Sequence, residues 1–528
     1  MKRTLIILLS AGLLLVSIGG MDPVRAGQPQ SPTGSGRAES QPKPAPPETD
    51  RFAPVRALIL ETMKSTGIAS LSIAAAERGD VVWEESFGYA HKKKDIKALP
   101  QSVYALASIS KSFTGTGLMV LAERGLIDPD KPLNDYLGGA KLVSYAGDAS
   151  QATLMRVLHM EAGLPMHWNL FFAPEPAQPL DMEESIRRYG IIVNTPGEEY
   201  VYSNFAYGIL DHVISRISGK DYADFMKTEV FQPLGLTRTF VYPEPALAGS
   251  MVQGYDERGR PVSAFDCDHR GASSVYASVE DLIRYGMFHL KDRVPGQKAI
   301  LGPKALDRLH EPSTMKILEE NVGDVHMAWG WATVDVAGYR FLLSTGSAPG
   351  TQTRLALIPA KDVAVAILVN SSSTENLAAW KIEWATFAAL LPGFPEPPRP
   401  RIPAEQPRTF SPPPEIQGEW KGTIKTYQGE VPFRLSVAGQ VLKIEVNGRL
   451  AGPVPMATPL GGLTFENGWL SGLFFGTIPT ADAKRSASVI FLRLKLRGKN
   501  LEGTASAVAV NQSFSLPYWA QLTRVSGR

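Results

Sequence analysis

Ser108-Ile109-Ser110-Lys111 sets a hydroxyl three residues ahead of an amine. On a helix that spacing brings both side chains to one face, within reach of each other. An amine beside a hydroxyl weakens the hydroxyl's hold on its proton. A helix N-terminus favours the negative charge that develops on a nucleophile. The surrounding segment, Tyr104–Val120, reads YALASISKSFTGTGLMV, and its small and apolar residues predict a buried helix opening at the serine. A nucleophile so placed suits acyl transfer. Ser-x-x-Lys is a common tetrapeptide, however, and by itself describes many surface pairs. The rest of the chain has to supply the remaining parts.

The chain has 528 residues, too many for one core, so more than one domain is expected. A net charge of +2, with no basic run or aromatic ladder, excludes a nucleic-acid partner. Cys267 is the single cysteine, which excludes an internal disulfide and a cysteine-rich zinc site. Neither a metal nor a cofactor is expected.

Met1-Lys2-Arg3, the apolar run Leu5–Val16 and the small residues near Ala26 have the parts of a secretory signal over 1–26. A secreted or periplasmic location follows as the expectation, with an uncleaved membrane anchor as the alternative. Residues 27–50 are rich in Pro, Gly, Ser and Gln and read as a disordered linker. Residues 51–392 mix helical and strand patterns. Arg51–Lys64 has helical spacing, and Ile68–Ala76 and Val81–Tyr89 form a hairpin about Gly79. Further helices are predicted at Leu154–Pro165, Phe205–Ser218, Ala277–Leu290 and Ala378–Leu391. Strands are expected at Ala328–Trp331, Tyr339–Ser344, Thr353–Ile358 and Val363–Asn370. His159 reads as a packed, hydrogen-bonded histidine and Glu161 as a surface residue. Tyr202-Ser203-Asn204 falls on a loop just before a helix. Residues 393–414 form a proline-rich linker. Residues 415–528 carry eight short strand patterns and no histidine, an all-β barrel-like domain with no assigned chemistry.

Three stations therefore follow in order: Ser108-x-x-Lys111, Tyr202-x-Asn204 and Ser344-Thr345-Gly346. With the blocks ASISKSFTGTGLMVLAERGLI, VLHMEAGLP, TPGEEYVYSNFAYGILDHVISRISG, VFQPLGLTRT and VYASVEDLIRYG, the chain over Arg51–Leu391 resembles the penicillin-recognising serine hydrolases. Its branch is that of class C β-lactamases, D-alanyl-D-alanine carboxypeptidases, D-aminopeptidases and related esterases. The resemblance implies an α/β (α+β) serine β-lactamase-like fold, with helices around an antiparallel sheet. The C-terminal part faintly resembles the lipocalin-like modules appended to some members.

The resemblance implies that Ser108 is the acylated nucleophile and that Lys111 and Tyr202 share the general-base role. Asn204 would orient Lys111 and the substrate, and Ser344, Thr345, Gly346 and Ser347 would line the binding side. The backbone N–H groups of Ser108 and Ser347 would form the oxyanion hole. Tyrosine titrates near 10, so acting near neutral pH needs a downward shift of roughly three units, which a charged Lys111 at about 4 Å could supply. Ser344 stands where the family usually has Lys or His. That removes a cation for a substrate carboxylate, unless Arg340 or Arg354 replaces it. The expected function is an exported serine hydrolase of an ester, amide or peptide bond, with esterase or peptidase favoured over true β-lactamase. The alternative is a non-catalytic penicillin-binding-like sensor. The expected partner is a small-molecule or peptide substrate, a homo-oligomer is possible in principle, and the β-domain could cap the site of a neighbouring subunit.

Overall fold

The computed structural model describes residues 50–528 apart from 174–177, 292–293, 319–322, 373–375, 399–409, 411, 455–462 and 526–528. The expected signal segment, the linker over 27–49 and most of the proline-rich linker lie outside the described residues.

The first unit is a sheet between helices. Helix α1 (Ala53–Thr66) leads into the hairpin β1 (Ser70–Glu77) and β2 (Asp80–His91). Helix α2 (Ser110–Glu123) follows, then strand β3 (Trp168–Phe172), helix α3 (Asn204–Ser218), strand β4 (Phe265–Cys267) and helix α4 (Val279–His289). Strands β5 (Asp324–Met327), β6 (Ala332–Val336), β7 (Tyr339–Ala348), β8 (Thr351–Ile358) and β9 (Val363–Val369) come next, before helix α5 (Asn376–Leu390). The antiparallel order is β5-β6-β7-β8-β9-β1-β2, with a short strand at each edge.

The central strands are covered on both faces, and their residues alternate between two cores. Val363, Val365, Ile367 and Val369 join the cluster containing α1 and α5. Ala364, Ala366 and Leu368 face the larger core, with Leu282 and Ile283 of α4. This is the period of two expected of a pleated strand. Across the α5 face, Arg354 on β8 makes a two-pronged buried ion pair with Glu383, at 2.8 and 2.9 Å. Arg340 pairs with Asp335 at the surface. Both arginines are thus committed elsewhere, and neither replaces the cation missing at Ser344.

Several local expectations change. Ala328–Trp331 is a tight bend between β5 and β6, because Gly330 takes φ +78° there. The Leu154–Pro165 helix stops at Leu158. Strand β7 runs on through the Ser344–Ala348 segment instead of ending at it.

In the second unit, β10 (Gly418–Thr426), β11 (Gly429–Ala438), β12 (Val441–Val446) and β13 (Arg449–Ala451) precede β14 (Thr464–Glu466), β15 (Trp469–Phe475), β16 (Ser488–Arg497), β17 (Asn500–Ala509) and β18 (Phe514–Arg524). The order is β13-β12-β11-β10-β18-β17-β16-β15-β14. Over the described residues the ladder does not close into a barrel. Beyond β13 the chain makes a few bonds to β15, including Val454 N to Leu473 O at 2.8 Å. The second unit is also joined to the first by a sheet: β18 pairs with β3 (Phe514↔Asn169), and β3 pairs with β4. Arg188 donates to Asp482 at 2.9 Å, and Tyr145 stacks on Trp519 at 4.8 Å.

Breaking a buried pair strands one charge and typically costs about 3–5 kcal/mol, while replacing both partners with apolar groups is often close to neutral. We therefore expect Glu383→Ala to lower the denaturant midpoint strongly, and the Arg354→Met/Glu383→Leu double variant to recover most of the loss. Equal loss in both would show that packing, not charge burial, sets the cost.

Candidate active site

Ser108 lies on a single 3-10 turn, Ala107–Ile109, immediately before α2, and not within the α-helix as the sequence suggested. Three residues per turn still stacks position 108 over position 111. Ala107 has φ +48°, an uncommon conformation for a residue with a Cβ, and such strain collects at functional sites. Neighbouring side chains hold the turn. Thr351 and Thr353 of β8 donate to the carbonyls of Ala105 and Leu106 at 2.8 and 2.7 Å. Ser110 Oγ donates to Ala107 O and accepts from Val275 N.

Tyr202 is placed by the start of α3. Ser203 caps that helix by accepting from Ala206 N, and its hydroxyl donates to Pro165 O at 2.9 Å. Asn204 is the first helical residue, and its side chain turns to Lys111. The outcome is a compact cluster. Ser108 Oγ is 2.6 Å from Tyr202 Oη and 3.0 Å from Lys111 Nζ. Lys111 Nζ is also 2.8 Å from Asn204 Oδ1 and 3.1 Å from Ala272 O. It sits 4.8 Å from the centre of the Tyr202 ring.

The electrostatics differ from the sequence expectation. Lys111 is 3% exposed and its hydrogen-bond partners are neutral oxygens, so burial drives its pKa well below the ordinary lysine value. Burial also pushes Tyr202 up to about 12, against a smaller lowering by its bond to Ser108. Both shifts run against the sequence expectation: burial favours the uncharged form of the amine and makes the phenol hold its proton more tightly, where a charged lysine lowering the tyrosine was expected. Lys111 Nζ donates to Ser108 Oγ, Asn204 Oδ1 and Ala272 O, and these three bonds hold the amine against the Ser108 hydroxyl.

Ser108, Tyr202 and Asn204 open on a cavity of about 80 Å³. Of the four residues expected on the binding side, Ser347 lines it, while Ser344, Thr345 and Gly346 do not. Ser344 is buried within the sheet. Gly346 acts through its backbone. A Cβ there would lie 2.0 Å from Leu106 O and 3.0 Å from Ser108 N, so only glycine lets β7 run this close behind Ser108. Met166, Trp168, Leu170 and Phe265 form an apolar wall.

Sequence reasoning missed part of this wall. Gln512, on the turn before β18, reaches the cavity from the C-terminal unit, and its carbonyl accepts from Trp168 Nε1 at 2.9 Å. The cap is thus on the same chain. His269 also lines the cavity. With His167 and Asp268 it forms a fully buried cluster: Asp268 lies 3.1 Å from His167 Nε2 and 2.7 Å from His269 Nδ1. The adjacent Asp268-His269 pair is a signal that sequence alone offers; nothing local marks Gln512. His167, Asp268 and His269 could present three metal ligands within 4.8 Å of one another. A cation would have to displace hydrogen bonds they already make. Glu161, expected at the surface, is 9% exposed and accepts from the Ser313 hydroxyl. His159 is packed and neutral, burial lowering it to about 4, but its Nε2 has no hydrogen-bond partner.

The fold and the matches to known proteins together point to the family of penicillin-recognising serine hydrolases. Residues 55–386, more than half of the chain, match the family model described as Beta-lactamase, and the chain belongs to that family. It is 31% identical to "Penicillin-binding protein 4*" of Bacillus subtilis (strain 168) over 191 residues, 35% of this chain and 40% of that protein. It is 24% identical to "Unguisins hydrolase ungD'" of Aspergillus campestris (strain IBT 28561) over 341 residues, 61% of this chain and 62% of that protein. The chain thus spans less than two thirds of the length of these relatives. The octameric penicillin-binding protein homologue from Pyrococcus abyssi shares the fold, with a TM-score of 0.58 at 20% identity over 89% of this chain and all of that one.

Two outcomes follow from the geometry. Lys111 binds its proton less tightly folded than unfolded, so folding releases a proton below the lysine's ordinary 10.5 and stability rises with pH up to that value. Lys111→Met removes this dependence. Denaturant midpoints measured from pH 7 to 10 should move in the parent's favour by up to about 1.4 kcal/mol per unit. Parallel curves would show that Lys111 keeps its charge when folded. Separately, Gly346→Ala should reduce ester turnover by about 100-fold through displacement of the Ser108 turn, and should also lower the melting temperature, because the added Cβ meets the Leu106 carbonyl at 2.0 Å. Unaltered turnover would remove the role given to the β7 backbone.

Proposed function

We propose that the chain is an exported serine hydrolase that cleaves small esters or amides through a Ser108 acyl-enzyme. One observation carries this reading: Ser108 Oγ is bonded at once to a buried amine at 3.0 Å and a phenol at 2.6 Å. In the proposed chemistry the Lys111 amine takes the Ser108 proton while Oγ attacks the carbonyl carbon. The oxyanion is received by the backbone N–H groups of Ser108 and Ser347. Tyr202 Oη then protonates the leaving group as the acyl carbon–leaving group bond breaks. Lys111 returns its proton toward the phenol, restoring two neutral side chains. Asn204 holds the amine in place throughout.

The substrate class follows from the cavity wall. Its described lining carries apolar side chains and small polar groups, with no lysine or arginine. Both nearby arginines are paired elsewhere. A neutral, compact acyl group suits this wall better than a free carboxylate, which favours an esterase or amidase over a β-lactamase or carboxypeptidase. Export rests on the signal-like segment over 1–26. Assembly of several copies is supported only by the octameric state named for the Pyrococcus abyssi homologue. Ser344 also supports a second reading, a sensor that is acylated once and does not turn over.

Ser108→Ala should abolish labelling by a fluorophosphonate probe and reduce p-nitrophenyl ester turnover by more than about 1000-fold. Persistent labelling of that variant would remove the nucleophile. A permanent adduct on the parent protein, without turnover, would favour the sensor.

A further inference from the structure

The hairpin turn between β17 and β18, residues 510–513, reaches the cavity that Ser108 lines. Gln512 sits on it at φ +63°, a left-handed conformation disfavoured for a residue with a Cβ. Glycine and asparagine accept it more readily, yet a glutamine stands there. Strained residues of this kind gather at ligand clamps. The turn is held in its shape: Gln512 N donates to Ala509 O at 2.9 Å, and Ser513 Oγ donates to Asn511 Oδ1 at 2.7 Å. It is also docked on β3. Leu170 N donates to Ser513 O at 2.6 Å, and Trp168 Nε1 donates to Gln512 O at 2.9 Å. Gln512 and Trp168 are half-buried, whereas Leu170 and Phe265 are buried. The first two therefore stand at the solvent side of the wall that the other two continue inward.

If Tyr202 Oη protonates the leaving group, that group lies against the phenol. The acyl chain is then left the apolar wall of Met166, Trp168, Leu170 and Phe265. The cavity measures about 80 Å³. A water needs about 10–15 Å³, so on the order of five to eight groups of that size fit at once. Resting on the acyl-enzyme reading above, we infer that Trp168 and Gln512 form a gate on acyl length, which admits short, uncharged acyl groups of up to about four carbons. A longer chain has to push aside a turn fixed by the bonds just described. That turn belongs to the C-terminal unit, so one unit carries the chemistry and the other sets which acyl groups reach it.

The test uses the full chain with p-nitrophenyl acetate, butyrate, hexanoate and octanoate, and reads kcat/KM for each. An open apolar groove would favour the longer esters, because each buried methylene strengthens binding. The gate predicts the reverse: octanoate should fall about 100-fold below butyrate. Gln512→Asn and Gln512→Gly shorten and then remove the side chain, at a backbone position that both residues accept. The octanoate-to-butyrate ratio should rise in that order, by about 10-fold or more in Gln512→Gly. Melting curves check that both variants fold. A merely structural role would change all four esters by one factor and leave the ratio where it was; that result would overturn the proposal. So would a parent that prefers octanoate, or a length limit found instead among acetate esters of ethanol, butanol and octanol, which would set the leaving group against this wall. If the chain is acylated without turning over, the same ratios are read from rates of adduct formation by intact mass. A parent that gives neither product nor adduct with any ester would sink the hydrolase reading and this one with it. Hydrolysis without a length preference would sink this one alone.

Discussion

The site depends on burying one lysine without a counter-ion. A lone ammonium taken out of water is strongly disfavoured, so the group sheds its proton unless a carboxylate is near. Among the described residues none is in contact with Lys111: its three hydrogen-bond partners are a hydroxyl, an amide oxygen and a backbone carbonyl. They come from three separate elements, the Ser108 turn, the start of α3 and the short helix Arg270–Ser273. The amine therefore ties three elements together. That arrangement makes the same contacts serve stability when the amine is neutral and oppose it when the amine is charged.

Bringing three elements to one nitrogen requires backbones to run closer than side chains normally allow. Glycines make this possible at two points. Gly346 lets β7 pass against the Leu106–Ser108 backbone, and Gly330 lets the bend after β5 rest on the Lys111 carbonyl, where a Cβ would lie 2.2 Å away. Thr351 and Thr353 then bond the carbonyls that those approaches bring within range. Ser108 is thus fixed by sheet and bend, and the positive φ of Ala107 is the local strain that this fixing imposes.

Much of this was legible in the sequence, and the reasons are specific. The hairpin about Gly79, the helix expected over Ala277–Leu290 and the strands of the C-terminal unit all follow from local periodicity, turn chemistry and alternation. The juxtaposition of Ser108, Lys111, Tyr202 and Asn204 came from their match to a family pattern, since no local rule joins residues 108 and 202, 94 positions apart. What sequence could not supply was solvent. The expectation of a lowered tyrosine assumed a charged lysine at a moderate dielectric, and burial of both groups reverses each shift. Glu161 failed for the same reason: a carboxylate reads as exposed until a partner such as Ser313 is found far away in the chain. Ala328–Trp331 looked like a strand by composition, and the αL glycine within it decided otherwise.

The proline-rich segment marks a change of texture, yet it is not the boundary of the site. Strand β3 lies between β4 and β18, so one of its edges is satisfied by the first unit and the other by the second. Without β18, an edge carrying Trp168 and Leu170 would face solvent with unpaired backbone groups, a state that sheet proteins avoid. Arg485 adds to the seam by lying 4.1 Å over the Phe171 ring. Because Trp168, Leu170 and Gln512 also line the cavity, the dimensions of the substrate wall are set by how the two units pair and not by the family fold alone. A C-terminal unit to which no catalytic role is assigned can therefore determine selectivity through the register of a single strand against β3.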